Sequence, residues 1–87
     1  MEELAELRKK IDEVDRELLV LVLKRFDLVD RVAEVKRANN LPVFVPGRED
    51  EILDQLTAGV DGKYSSFVRD LFTGILDVSK RYQIEKI

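Results

Sequence analysis

Between Glu3 and Ala38 the chain contains neither proline nor glycine, and its apolar residues recur at alternating steps of three and four: Leu4, Leu7, Ile11, Val14, Leu18, Leu21, then Leu28, Val32 and Val35. That spacing is the seam of one continuous amphipathic helix, which Asn39, Asn40 and Pro42 bring to an end. At ~1.5 Å per residue it is roughly 50 Å long. What remains of an 87-residue chain is too short to cover such a helix, so the seam calls for a second copy of the chain. The run Leu18 to Leu23 is apolar nearly all round and is expected to be packed both by the rest of its own chain and by that partner.

The remainder reads as two further helices, giving an all-α, three-helix fold and a single domain over residues 1–87. LPVFVPG is an extended connector whose prolines disfavour helix, and Pro46 is placed to begin the next one. The spacing of Ile52, Leu53 and Leu56 predicts a second helix over Arg48 to Thr57, with Gly59 as its stop. Gly59 to Tyr64 reads as a turn, after which Ser65 or Ser66 caps a third helix reaching Gln83. Phe67, Val68, Leu71, Phe72, Ile75, Leu76 and Tyr82 are its expected buried side. Gly74 inside that helix costs about 1 kcal/mol relative to alanine, which points to close backbone packing there.

Composition narrows the chemistry. The chain has no cysteine and no histidine, which removes thiolate nucleophiles, disulfides and the commonest general base and metal ligand. No metal site and no cofactor are expected. A net charge of −3 with interspersed signs offers no basic face to a nucleic acid. The longest apolar run is too short to cross a bilayer, and the acidic N-terminus is unlike a secretory signal. The expectation is a cytoplasmic protein with neither nucleic-acid nor membrane partners.

The polar residues that break the apolar pattern carry the rest. Position 25 of the seam is an arginine, and its helical neighbours Leu21, Val22, Leu28 and Val29 are all apolar. Arg31, by contrast, has Asp27 and Glu34 at pairing distance along the helix. Arg25 therefore either snorkels, pairs with another helix, or binds an anion. Lys36, three turns on, falls within ~20° of Arg25 on the same face and ~16 Å along the axis, and it too lacks a carboxylate at helical spacing. Arg8 lies ~25 Å from Arg25 and about 100° round the helix. It either pairs with Asp12 at the surface or, if two seams pair antiparallel, reaches the middle of the partner chain. Arg48 and Glu49 open the second helix, where Glu51 is the alternative partner for Arg48. Ser79 and Gln83 occupy apolar slots of the third helix. Together these residues describe one polar cavity in a helical dimer, suited to a small anion with at least two carboxylates. They supply no acid–base relay, covalent nucleophile or metal cluster.

The segments LRKKIDEVD, LKRFDLVDRVAEVK, PGRED and LFTGILDVSKRYQ, in that order and spacing, resemble the all-α class of chorismate mutases over nearly the whole chain. The resemblance implies an intertwined homodimer that rearranges chorismate, a dicarboxylate, to prephenate without a cofactor. It implies that Arg25, with Arg8 of the other subunit, binds the carboxylates and that Arg48 supports the pocket. Lys36 and Gln83 would donate to the ether oxygen, Glu49 would accept from the ring hydroxyl, and Ser79 would assist a carboxylate. The chain departs from many relatives at Val45, where they place an aspartate. Without a fused dehydratase, dehydrogenase or synthase domain it reads as a free-standing mutase or an excised domain. An isochorismate pyruvate-lyase on the same scaffold and a non-catalytic dimerisation or regulatory module are the alternatives.

Overall fold

The long seam is helical from end to end. In the computed structural model, which describes residues 1–86, α1 spans Glu2–Ala38, α2 Arg48–Thr57 and α3 Gly62–Lys86. The fold is all-α, and the molecule measures 55 Å along its longest axis, the length that α1 alone sets. Glu2 and Glu3 in its first turn and Lys36 and Arg37 in its last complement the helix dipole.

Each helix boundary has a local chemical cause. α1 stops because Asn40 takes a left-handed conformation, φ 53°, which an asparagine tolerates better than most residues. The amide of Leu41 then turns back to the Lys36 carbonyl at 2.7 Å and that of Asn40 to Arg37 at 3.3 Å, a Schellman closure of the last turn. Asn39 adds its side-chain amide to the Val35 carbonyl at 2.8 Å. At the far end of the connector, Arg48 N–H reaches the Val45 carbonyl at 3.2 Å around Pro46 and Gly47, the latter at φ 85°, ψ −17°. This is a type II turn with its preferred residues at both central positions. Pro46 thus belongs to the turn and does not begin α2. A second turn of the same kind follows α2, through Ala58 and Gly59 at φ 83°.

α3 begins three residues before the earlier of the two serines expected to cap it. The cap is Asp61, whose Oδ1 accepts from the backbone N–H of Lys63 at 3.0 Å, so the second half of the stretch expected as a turn, Gly62 to Tyr64, becomes the start of the helix, while Gly59 keeps its place in a turn. The helix also runs past Gln83 to Lys86.

α3 packs against both α1 and α2 and is the central element of the chain. Phe26 of α1 meets Tyr82 of α3 edge to face at 5.2 Å, and the Tyr82 hydroxyl donates to Asp30 at 2.7 Å. That hydrogen bond, aided by partial desolvation and the negative charges of Asp30 and Asp27, raises the Tyr82 hydroxyl above its usual range. Contact along α1 is confined to its C-terminal part: residues 2–24 are exposed throughout, including all of Leu18 to Leu23. The chain's own helices therefore do not cover that run, contrary to expectation, because α3 reaches α1 only from about Arg25 onward. Phe67 and Leu71 are likewise exposed, at 71% and 64%, though the pattern had put them on the buried side of α3. Nothing lies within 4 Å of where a Gly74 Cβ would stand, so the close packing anticipated there is not made within the chain.

Candidate active site

Among the described residues the buried positions are Ala33, Leu53, Leu76, Ser79 and Gln83. Two of these are polar, in a molecule with very little core to spare. Burying a hydroxyl and an amide costs stability unless both are bonded, and both are. Ser79 and Gln83, one turn apart on α3, face a cavity of about 200 Å³ bounded by α1, the connector, α2 and α3.

Arg25, Lys36, Arg48, Glu49, Ser79 and Gln83 all line this cavity, with Val45 in its wall. The sequence-derived candidates from three separate helices thus converge on one space. Arg8 is not among the lining residues and has no carboxylate within 4 Å among the described residues, so its expected surface pair with Asp12 does not form. Nor does Arg31 form the pairs its spacing suggested.

The hydrogen bonds fix how each group presents itself. The Ser79 hydroxyl donates to the Ile75 carbonyl one turn back, at 2.9 Å, which commits its only hydrogen. Its oxygen is left to accept from Arg25 Nη1. A guanidinium carries five N–H donors, so this bond holds Arg25 in place while leaving others to meet an anion.

Lys36 has a matching arrangement. Its ammonium donates to the Val43 carbonyl of the connector at 2.9 Å and to Gln83 Oε1 at 3.1 Å, leaving one of three hydrogens unspent. Because Gln83 accepts with its oxygen, its amide –NH₂ points away from the ammonium. The two residues accordingly offer two donors in close proximity and no acceptor between them. Such a pair suits an oxygen on which negative charge accumulates.

Around α2 the geometry is mixed. Arg48 pairs with Glu51 at 2.9 Å, the alternative its spacing allowed, and both side chains are more than half exposed, so the pair contributes little to stability. Glu49 turns the other way, towards Lys80 of α3 at 3.2 Å. Lys80 also lines the cavity and is not among the candidates read from the sequence. Its position gave a signal: Leu76, Ser79, Lys80 and Gln83 share one helical face.

A second cavity of about 380 Å³ shares Arg25 and Ser79 but is otherwise walled by apolar residues of α1 and α3, with Gly74 among them. Its lining suits packing against another apolar surface, whereas the smaller cavity holds the charges. No group of three or more metal-ligating side chains occurs among the described residues, and no described helix is long and apolar enough to cross a membrane.

Comparison with known proteins agrees with the geometry. The chain is 50% identical over 56 residues to a bifunctional chorismate mutase/prephenate dehydratase of Aquifex aeolicus, covering 64% of this chain but only 16% of that protein. It is 45% identical over 56 residues to a chorismate mutase of Methanocaldococcus jannaschii, covering 64% of this chain and 57% of the relative. It is 34% identical over 76 residues to a 4-amino-4-deoxychorismate mutase of Streptomyces venezuelae, covering 85% of this chain and 74% of the relative. The chain therefore spans a small part of the bifunctional relative and just over half of the archaeal one. The family model for chorismate mutase type II matches residues 7–84, which takes in α2, all but the outer ends of α1 and α3 and every residue of the polar cavity, and the chain belongs to that family.

Proposed function

We propose that this chain catalyses the Claisen rearrangement of chorismate to prephenate. The observation that carries the reading is the convergence of Arg25, held by Ser79, and the Lys36–Gln83 pair on one cavity. In this reaction the allylic C–O bond of the ether breaks as a C–C bond forms between the enolpyruvyl methylene and the ring. No proton is transferred and no covalent adduct is needed. The protein's task is to hold the two ends of the substrate together and to stabilise negative charge on the ether oxygen. Arg25 pairs with one carboxylate, bidentately where its remaining donors allow. Lys36 and Gln83 donate to the ether oxygen through the hydrogens their mutual bond leaves free. Glu49 accepts from the ring hydroxyl, and Arg48 supports the pocket after leaving Glu51, a half-exposed pair that costs little to break.

The active species is a homodimer. The exposed seam from Leu4 to Leu23 would leave a lone chain with far more apolar surface in water than a stable monomer tolerates, and an antiparallel partner covers it. Such a partner brings its own Arg8 to the second carboxylate, which Arg8 of the same helix, ~25 Å from Arg25, does not reach.

A second substrate is suggested by the Streptomyces relative, whose name specifies 4-amino-4-deoxychorismate. That compound undergoes the same rearrangement with a ring amine in place of the hydroxyl. Ultraviolet assay of the disappearance of chorismate, its 4-amino analogue and isochorismate, with products identified, tests the reading. Prephenate from chorismate is the expected dominant product. Faster pyruvate release from isochorismate would replace the mutase reading with a lyase, and inertness towards all three would leave a non-catalytic dimerisation module.

A further inference from the structure

We infer that Lys80 sets the choice between a ring hydroxyl and a ring ammonium, by occupying and orienting the Glu49 carboxylate. The inference rests on the reading of the cavity as a chorismate site and adds a residue that determines which chorismate-like substrate is accepted.

Glu49 enters the cavity from the first turn of α2, and the Lys80 ammonium meets both of its oxygens, at 3.2 Å and 3.3 Å. The same ammonium lies 5.8 Å from the centre of the Phe44 ring, so one side chain of α3 ties together the connector and α2. Asp77, at 3.7 Å, is its other carboxylate neighbour and is the more exposed of the two. Both members of the Lys80–Glu49 pair are only about a third exposed. Its charges are therefore screened less than those of the Arg48–Glu51 pair at the rim.

A carboxylate held this way keeps lone pairs with which to accept from a neutral O–H. The hydroxyl finds a fixed acceptor and adds no charge. A protonated ring amine at the same position would bring a second cation beside the Lys80 ammonium, and like charges at a few ångströms repel. Either the amine loses its proton, which disfavours binding at neutral pH, or Lys80 is displaced from Glu49 and its pairing is lost. Both routes penalise the amino substrate relative to the hydroxyl one. Lys80 acts through Glu49 and is a positioning residue. Replacing it with a neutral side chain frees the carboxylate to pair with the ring ammonium.

The test compares kcat/KM for chorismate and for 4-amino-4-deoxychorismate in the full chain and in Lys80→Met, Lys80→Gln and Lys80→Arg. The unaltered protein is expected to prefer chorismate. Lys80→Met and Lys80→Gln should each shift the ratio of the two values towards the amine by about tenfold or more, while Lys80→Arg keeps the preference. Lys80→Gln carries the comparison should Lys80→Met fold poorly, and a general loss of structure lowers both activities without moving their ratio. An unchanged ratio in the neutral variants of a protein that rearranges chorismate, or an initial preference for the amine, overturns the role of Lys80 and leaves the mutase reading standing. Failure of the unaltered protein to turn over either compound overturns both.

Discussion

The Lys36 ammonium and Gln83 Oε1 lie 3.1 Å apart, joining the last turn of α1 to the C-terminal third of α3 across the cavity. Because the amide oxygen is spent on the ammonium, both residues are left as donors towards the same space. Lys36→Ala is expected to lower kcat/KM by about 3 kcal/mol or more of transition-state stabilisation while the helical fold is retained. Steady-state kinetics with circular dichroism of the variant checks this, and unchanged turnover would remove Lys36 from the chemistry. Gln83→Ala should act in the same direction with a smaller loss, since a neutral donor stabilises developing charge less than an ammonium does.

Arg25 and Ser79 should separate in their effects. On the mutase reading, Arg25→Ala removes a carboxylate ligand and leaves the substrate anion unpaired in a partly buried site, for an expected loss of about 3 kcal/mol or more. Ser79→Ala removes only the group that holds the guanidinium, and about 1–2 kcal/mol in kcat/KM is expected. Equal losses in the two variants would mean that Ser79 itself meets the substrate.

Sharing of a site between subunits has a genetic-style test. Arg8→Ala and Arg25→Ala chains, each inactive as homodimers, should regain one intact site per heterodimer when mixed under conditions of proven subunit exchange. Activity of the mixture should approach a quarter of that of the unaltered enzyme, because about half of randomly paired dimers are mixed and each carries one complete site. No recovery, despite confirmed subunit exchange, would count against a site shared between subunits.

Tyr82 gives a prediction for alkaline pH. Its hydroxyl, raised above the ordinary range chiefly by donation to Asp30, binds its proton more tightly in the folded chain than in the unfolded one. The contribution is complete below the unfolded tyrosine value of about 10 and is lost as pH rises through the raised folded value. Stability measured by urea titration between pH 8 and 12 should therefore fall more steeply in the unaltered protein than in Tyr82→Phe. Parallel profiles would mean that the Asp30 bond does not distinguish the two states.

The parts of this architecture that were legible in the sequence are those fixed by local rules. The length of α1 followed from an uninterrupted three-and-four spacing, its end from Asn39, Asn40 and Pro42, and the limits of α2 from the spacing of Ile52, Leu53 and Leu56 and the stop at Gly59, whereas Pro46, placed to begin that helix, sits in the turn before it. The start of α3 was misplaced because three capping residues competed within six positions, and Asp61, whose carboxylate reaches the Lys63 amide, lay upstream of the serines. Arg25, Lys36, Ser79 and Gln83 were legible because each defies its surroundings, a cation without a helical counter-ion or a polar group in an apolar slot. Lys80 escaped for the opposite reason. Asp77, three residues earlier, accounts for it as a surface pair, and only the approach of α2 in three dimensions brings Glu49 closer. Periodicity also names the apolar face of a helix without naming what covers it, which is why Leu18 to Leu23, Phe67 and Leu71 were assigned in part to their own chain.

The exposure of residues 2–24 of α1 has a consequence for how such a protein comes into being. A helix of that length with no neighbour from its own chain gains little from propensity alone, so on the dimer reading its N-terminal half is completed only when two chains meet. Maturation is then a bimolecular reaction, and the rate at which working catalyst accumulates follows the square of the concentration of newly made chains.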